Sequence, residues 1–317
     1  MRTALSAIAL GVSLACACDI ASSQVISVTQ QGYGNTSSAQ QVGLTPYDTT
    51  QPLGISATIT QIGDNNHVGG PGSSGGGIFQ RDNHYETAAV VEQVGSGNNA
   101  GITQDGTSGM LASVDATITQ RGTRNDATIR QNIVSYSPAT VEQNGIGNIA
   151  RVEQVNSGDT RILTTQNGTG NQLTVSQRDS VYNGPNVSQN GDANTASVVS
   201  NNMEAGGPSI VQTGTLNSVS TIQTDGFRSI IEIRQLGSGN RADANQIGDS
   251  HFASIDQNGS NNFASVSQGL TLGSAQNTAR IAQLGNSNGA IVRQVGQGYV
   301  ANVNQTGAAN WTSIYQH

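Results

Sequence analysis

The chain has 317 residues, of which 34% are hydrophobic, 4% aromatic and 10% charged, with 40 glycines. So few apolar side chains exclude a large conventional core, and so few charges speak against a charge-swollen disordered chain. The net charge is −7, all 13 basic residues are arginine and no basic stripe forms, which argues against nucleic acid as a partner.

Residues 1–17 have the pattern of a secretory signal: Met1-Arg2, an apolar run from Ala4 to Ala15, and small residues at Ala15-Cys16-Ala17. The run is too short to span a bilayer comfortably. Both cysteines, Cys16 and Cys18, lie here. Lipidation at either is the alternative, but Ser13-Leu14-Ala15-Cys16 is a poor lipobox. The mature chain then has no disulfide framework, and backbone pairing and packing must hold it together. Residues 18–24 form a short N-terminal segment.

Residues 25–130 carry an irregular series of glutamines at Gln30, Gln41, Gln61, Gln80, Gln93, Gln104 and Gln120. The gaps include a glycine-rich loop between His67 and Phe79 and a smaller insertion from Asp105 to Asp115. Residues 131–317 are regular. Glutamines fall at Gln131, Gln143, Gln154, Gln166, Gln177 and Gln189; Ser200 takes the next slot, and Gln212, Gln223, Gln235, Gln246, Gln257 and Gln268 follow. After an insertion at Gly269–Ser274 the series resumes at Gln283, Gln294, Gln305 and Gln316. Between Gln131 and Gln246 the steps alternate 12 and 11, so the unit is about 23 residues in two similar halves.

Within each half, side chains alternate. Asn148, Ala150, Val152 and Gln154 share one face, as do Asn262, Ala264, Val266 and Gln268, and Asn288, Ala290, Val292 and Gln294. That face is small and apolar in the middle and amide at its ends. The interleaved residues, such as Arg151, Glu153, Ser265, Ser267 and Arg293, face water. Turns such as Gly145-Ile146-Gly147-Asn148 and the one holding Gly237 and Gly239 follow the glutamines, because glycine and asparagine tolerate positive φ. No apolar stripe of helical period appears outside the leader. The predicted fold is all-β: a β-solenoid of stacked strand–turn–strand repeats, about 23 residues per coil, with two facing parallel sheets.

Such a unit cannot bury its apolar face alone, but stacked coils about 4.8 Å apart, with sheets about 10 Å apart, can. Stacking sets Gln over Gln and Asn over Asn, and each amide can donate and accept along its column. The predicted ladder comprises Gln143, Asn148, Ala150, Gln154, Gln235, Asn240, Ala242, Gln246, Gln257, Asn262, Gln268, Asn288, Gln294, Gln305, Asn310 and Gln316, with Gly145, Gly147, Gly237 and Gly239 in the turns. A slip of one residue would turn the ladder outward, so it sets register.

The two-half unit resembles the curlin repeat, Ser-x5-Gln-x-Gly-x-Gly-Asn-x-Ala-x3-Gln. Ser137, Gln143, Gly145, Gly147, Asn148, Ala150 and Gln154 match it fully, as do Ser229, Gln235, Gly237, Gly239, Asn240, Ala242 and Gln246. Gln93, Gly95, Gly97, Asn98, Ala100 and Gln104 match with Thr87 in place of serine. Degenerate copies cover nearly all of the mature chain. The resemblance implies curli: amyloid fibres outside the outer membrane that serve adhesion and biofilm matrix. It also implies self-polymerisation, export through an outer-membrane pore, and nucleation between major and minor subunits. The chain departs from familiar subunits in having about twice as many repeats, large loops, and charges on most outward faces. Arg121, Arg130, Glu142, Arg151, Glu153, Asp243 and Asp256 either slow lateral association or only keep a wet face wet.

Other patterns carry less. Gly145-x-Gly147-x-x-Ala150 mimics a dinucleotide fingerprint, but it recurs at Gly95 and Gly237 as a turn and opens no helix. Gly72-Ser73-Ser74-Gly75-Gly76 imitates a nucleophile elbow inside a glycine loop. His67, His84, His251 and His317 lack metal-ligand spacing, and no calcium-solenoid repeat is present, so no cofactor, metal or catalytic residue is expected. The last strand, Asn310 to Gln316, keeps the pattern to the end, which favours a polymerising stack over one closed by an atypical cap. Trp311 and Tyr315 should point outward there. The alternative is a monomeric solenoid that binds a surface, as an adhesin or through an ice-binding face. It requires a flat outward face of one residue type, which Thr58, Thr60, Thr117 and Thr119 do not supply. A hydrolase would need clustered carboxylates, and the acids here are dispersed.

Overall fold

The computed structural model describes residues 24–42, 54–69, 76–81, 86–106, 114–269 and 275–317. The leader at 1–17, most of the segment 18–24, and the central parts of the three insertions lie outside them. The described chain is strand and turn with no helix, and every strand pair with a stated register is parallel. Contacts divide the chain into two compact units, residues 1–156 and 157–317.

Each unit is a β-solenoid. In the first, Gln24–Gln31, Ile55–Asp64, Thr87–Ser96, Val114–Thr123 and Ala139–Ile146 lie side by side in one sheet. The return strands Ala39–Val42, Ile78–Arg81, Asn99–Asp105 and Asp126–Ser135 form the other. In the second unit, Ile162–Thr169, Asn186–Asp192, Phe252–Ser260, Thr278–Asn286 and Val300–Ala308 belong to one sheet. Gln172–Arg178, Arg241–Ile247, Phe263–Gln268, Gly289–Gln294 and Trp311–Gln316 belong to the other. Two 21-residue strands, Thr195–Thr215 and Ser218–Ser238, run through the corner and contribute to both sheets. They bend at residues of positive φ, Asn202 and Ala205 in one and Asp225 and Arg228 in the other.

Alternation decides which residues fill the coil. Buried and non-buried residues alternate through Thr87–Gln93 and again through Phe263–Gln268. The buried set is β-branched or small: Ala57, Ala89, Ala116 and Ala139 stack in one column, and Ile59, Val91, Ile118 and Val141 in the next. In the second unit Ile210, Ile233, Ile255, Ile281 and Val303 form such a column, opposite Ala242, Ala264 and Ala290. Each buried Val or Ile contributes about 1.5–3 kcal/mol, so the thin core gains by repetition what it lacks in width.

Candidate functional site

Glutamine columns run along both inner corners. In the first unit Gln30, Gln61, Gln93, Gln120 and Gln143 form one chain of amide bonds, each Nε2 donating to the Oε1 of the next coil over 2.6–2.9 Å. Gln41, Gln80, Gln104, Gln131 and Gln154 form the second. In the second unit Gln166, Gln189, Gln212, Gln235, Gln257, Gln283 and Gln305 are linked in order. Gln223, Gln246, Gln268, Gln294 and Gln316 are linked likewise. The other Nε2 proton crosses the core to a carbonyl of the facing strand: Gln143 to Asp126, Gln235 to Ser218, Gln246 to Ile230 and Gln294 to Thr278, at 2.9–3.1 Å. Both donors of a buried amide are thereby used, which removes a penalty of about 1–3 kcal/mol per orphaned group.

Asparagine forms a column of opposite sense. Asn98, Asn125 and Asn148 each donate Nδ2 to the Oδ1 of the preceding coil's asparagine. Asn194, Asn217, Asn240, Asn262, Asn288 and Asn310 repeat the bond in the second unit at 2.9–3.1 Å. The same Oδ1 accepts the following asparagine's backbone N–H, as Asn240 does from Asn262. Ala150 and Ala242 are buried between these amide columns.

The two turn glycines differ. The first, as in Gly122 or Gly237, has φ of 113° or 117°, and a methyl group there would overlap the carbonyl oxygen of the next coil's glycine. Glycine recurs at this position in coil after coil: Gly63, Gly95, Gly145, Gly168, Gly191, Gly214, Gly259, Gly285 and Gly307. The second position is ordinary left-handed backbone. Gly147 and Gly239 occupy it, but so do Arg124, Ala193, Leu216, Asn261, Ser287 and Ala309, with φ of 55–58°. The motif's first glycine answers to backbone packing between coils; its second answers to a turn conformation that other residues adopt at a cost of about 1–2 kcal/mol, with open space around Gly147 and only the movable Asn261 side chain near Gly239.

The other corner has a column that the glutamine spacing did not reveal. His251 is buried there; its backbone N–H donates to the Ser229 hydroxyl, and Asn277 N–H donates to its Nδ1 at 3.2 Å. Nδ1 is therefore the acceptor, and Nε2 carries the proton given to the Ile247 carbonyl at 3.0 Å. An imidazole thus makes the bonds of an asparagine amide. Desolvation holds its pKa below 6.5, against the opposing pull of the Ile247 carbonyl and Asp249.

Outward charges pair between coils: Arg121 with Glu92 at 3.2 Å, Arg130 with Glu153 at 3.3 Å, Arg151 with Asp126 at 3.9 Å and Arg234 with Asp256 at 3.6 Å. Asp243 meets Arg241 within its own strand at 2.9 Å, and Glu142 is exposed. Such pairs contribute about 0–1 kcal/mol each. Trp311 and Tyr315 are 65% and 55% exposed. Among the described residues, no group of three or more His, Cys, Asp or Glu is placed to hold a metal ion, and no helix is long and apolar enough to cross a membrane.

The family model for the curlin associated repeat matches residues 237–269. No curated protein matches the chain. The matched stretch holds Gly237, Gly239, Asn240, Ala242, Gln246, Gln257, Asn262 and Gln268, residues through which successive coils are bonded to each other, and these coils are similar to the curlin associated repeat.

Proposed function

We propose that the protein is a structural, non-enzymatic subunit of extracellular curli-type amyloid fibres, which act in adhesion and biofilm matrix. The observation that carries this reading is the open strand edge at the outermost described coil of each unit. Among the described residues, Val300–Ala308 and Trp311–Gln316 have a strand neighbour on one side only, and so does Gln24–Gln31. An in-register parallel strand with a free edge is a template for another strand of the same pattern. The amide columns at Gln143, Gln154, Gln235, Gln246, Gln294, Gln305 and Gln316 then serve assembly as they serve the coil, by fixing which residue meets which. Self-association is the principal partnership. A related nucleating subunit, a leader at 1–17 and an outer-membrane export pore belong to the same reading.

The test is to incubate purified mature protein without additives. The expected product is thioflavin-positive fibre with reflections near about 4.8 and 10 Å, formed faster when preformed fibre is added. A chain that stays monomeric across salt, pH and seeding sinks the proposal.

A further inference from the structure

The coil from Thr195 to Asn217 departs from its neighbours at two inward polar positions. Ser200 occupies the slot held by Gln177 before it and Gln223 after it, in register with both. Gly206 stands between Asn183 and Ser229, again in register. In the adjoining coils the glutamine amide donates to the carbonyl six residues on, Gln177 to Asn183 and Gln223 to Ser229. The serine hydroxyl sits one carbon from the backbone and reaches neither such a carbonyl nor the next glutamine.

The consequence is a cluster of buried side-chain atoms with no protein partner: Ser200 Oγ, Gln223 Oε1, Thr221 Oγ1, and both Oδ1 and Nδ2 of Asn183. All four residues have no exposed surface. Thr221 lies two residues before Gln223 on the same inward face, so three of these atoms belong to one corner of the core. Leaving them bare is strongly unfavourable, and native interiors rarely do so. Met203, three residues after Ser200, is also buried, and its methyl lies against Gly226 of the next coil. A thioether has no proton to give, so it cannot satisfy Gln223 Oε1.

We infer that ordered water completes this coil, with one molecule donating to Gln223 Oε1 while bonded to Ser200 Oγ, and Thr221 Oγ1 on the same inward face offering a further partner. The required ligand is small, neutral, and both donor and acceptor, because no charged side chain is among the orphaned atoms. Water held by two to four polar groups in a walled corner meets that description.

The test compares full-length wild type with Ser200→Gln and Ser200→Ala. Ser200→Gln supplies the missing amide and displaces the water, and it should raise the thermal midpoint by about 2–6 °C. Ser200→Ala removes one of the water's partners and should lower it by a similar amount. In isotope-labelled wild type, the Gln223 side-chain amide should show cross-relaxation with a long-lived water, and this signal should vanish in Ser200→Gln. A fall in midpoint with Ser200→Gln, or no loss with Ser200→Ala, would show that Met203 already closes the corner dry. If Ser200→Gln fails to fold, the wild-type signal decides alone, and its absence overturns the inference.

Discussion

The indole of Trp311 stacks on the ring of Phe263, centroids 6.4 Å apart and planes 11° from parallel, although a whole coil lies between them. The intervening residue in that outward column is Gly289. A methyl group on Gly289 would collide with the indole ring. Glycine here makes room for an aromatic contact that skips a coil. Arg241 continues the column, its guanidinium 5.8 Å from the Phe263 centroid.

Gly289→Ala should therefore push the indole off Phe263 without disturbing the strand. Trp311 is the single tryptophan, so its emission reports the event directly. The expected result is a red shift and readier quenching by acrylamide, with a stability loss of about 0.5–1.5 kcal/mol, the worth of an aromatic pair. Unchanged emission would show that the stack is not maintained in solution.

Truncating a ladder glutamine should cost far more than its size suggests. Gln235→Ala removes the acceptor of Gln212 and the donor to Gln257 and Ser218, and it leaves a cavity. With about 1–3 kcal/mol for each orphaned group, the loss should reach several kcal/mol. Gln31→Ala, at an exposed position, should change stability by less than about 0.5 kcal/mol. Denaturant midpoints of the two variants check the contrast.

The turn glycines should respond unequally. Gly237→Ala places a methyl group against the Gly259 carbonyl, which is backbone, at a φ of 117°, whereas Gly239→Ala needs the left-handed conformation that Ala193 and Ala309 already adopt and a turn of the flexible Asn261 amide away from the new methyl group. Gly237→Ala should cost well over 2 kcal/mol or prevent folding, and Gly239→Ala about 1–2 kcal/mol. Equal losses would contradict the geometric distinction.

Acid should weaken the second unit through His251. Burial lowers its pKa in the folded chain relative to the usual 6.5, so between these two values the unfolded chain binds more protons. Stability is therefore full above about pH 6.5 and is lost as pH falls toward the folded pKa. His251→Asn keeps an acceptor and a donor in place and should flatten this part of the pH profile. Unfolding midpoints at pH 5 to 8 for both proteins provide the measurement.

The solenoid was legible because its signal is repeated. A period of about 23 residues with alternation inside each half admits few folds, and Asn148, Ala150, Val152 and Gln154 are all buried together. What the sequence obscured were positions where chemically different side chains do the same work. Asn183, Ser229, His251 and Asn277 lie at one corner of the second unit and are all buried, but no shared residue type links them. Spacing also treated the two turn glycines alike, since the approach of one coil's carbonyl to another's Cα is a property of stacking. The Phe263–Trp311 stack was hidden because it depends on the missing side chain of Gly289 between them.

Every glutamine-to-glutamine bond in the columns points its hydrogen toward the C-terminus, and every amide-to-amide bond of the column that holds Asn240 and Asn262 points its hydrogen toward the N-terminus. The amide dipoles of the glutamine and asparagine columns therefore oppose each other, and with two glutamine columns to one of asparagine the opposition is partial. The outermost described coils carry unlike chemistry: Gln316, with one amide hydrogen on the Val300 carbonyl, offers the other, while Gln30 offers a carbonyl. Two copies meeting like end to like end would set carbonyl against carbonyl or hydrogen against hydrogen. A filament grown from such coils is a vectorial object: its glutamine columns seek acceptors at one face and donors at the other, and its asparagine column does the reverse.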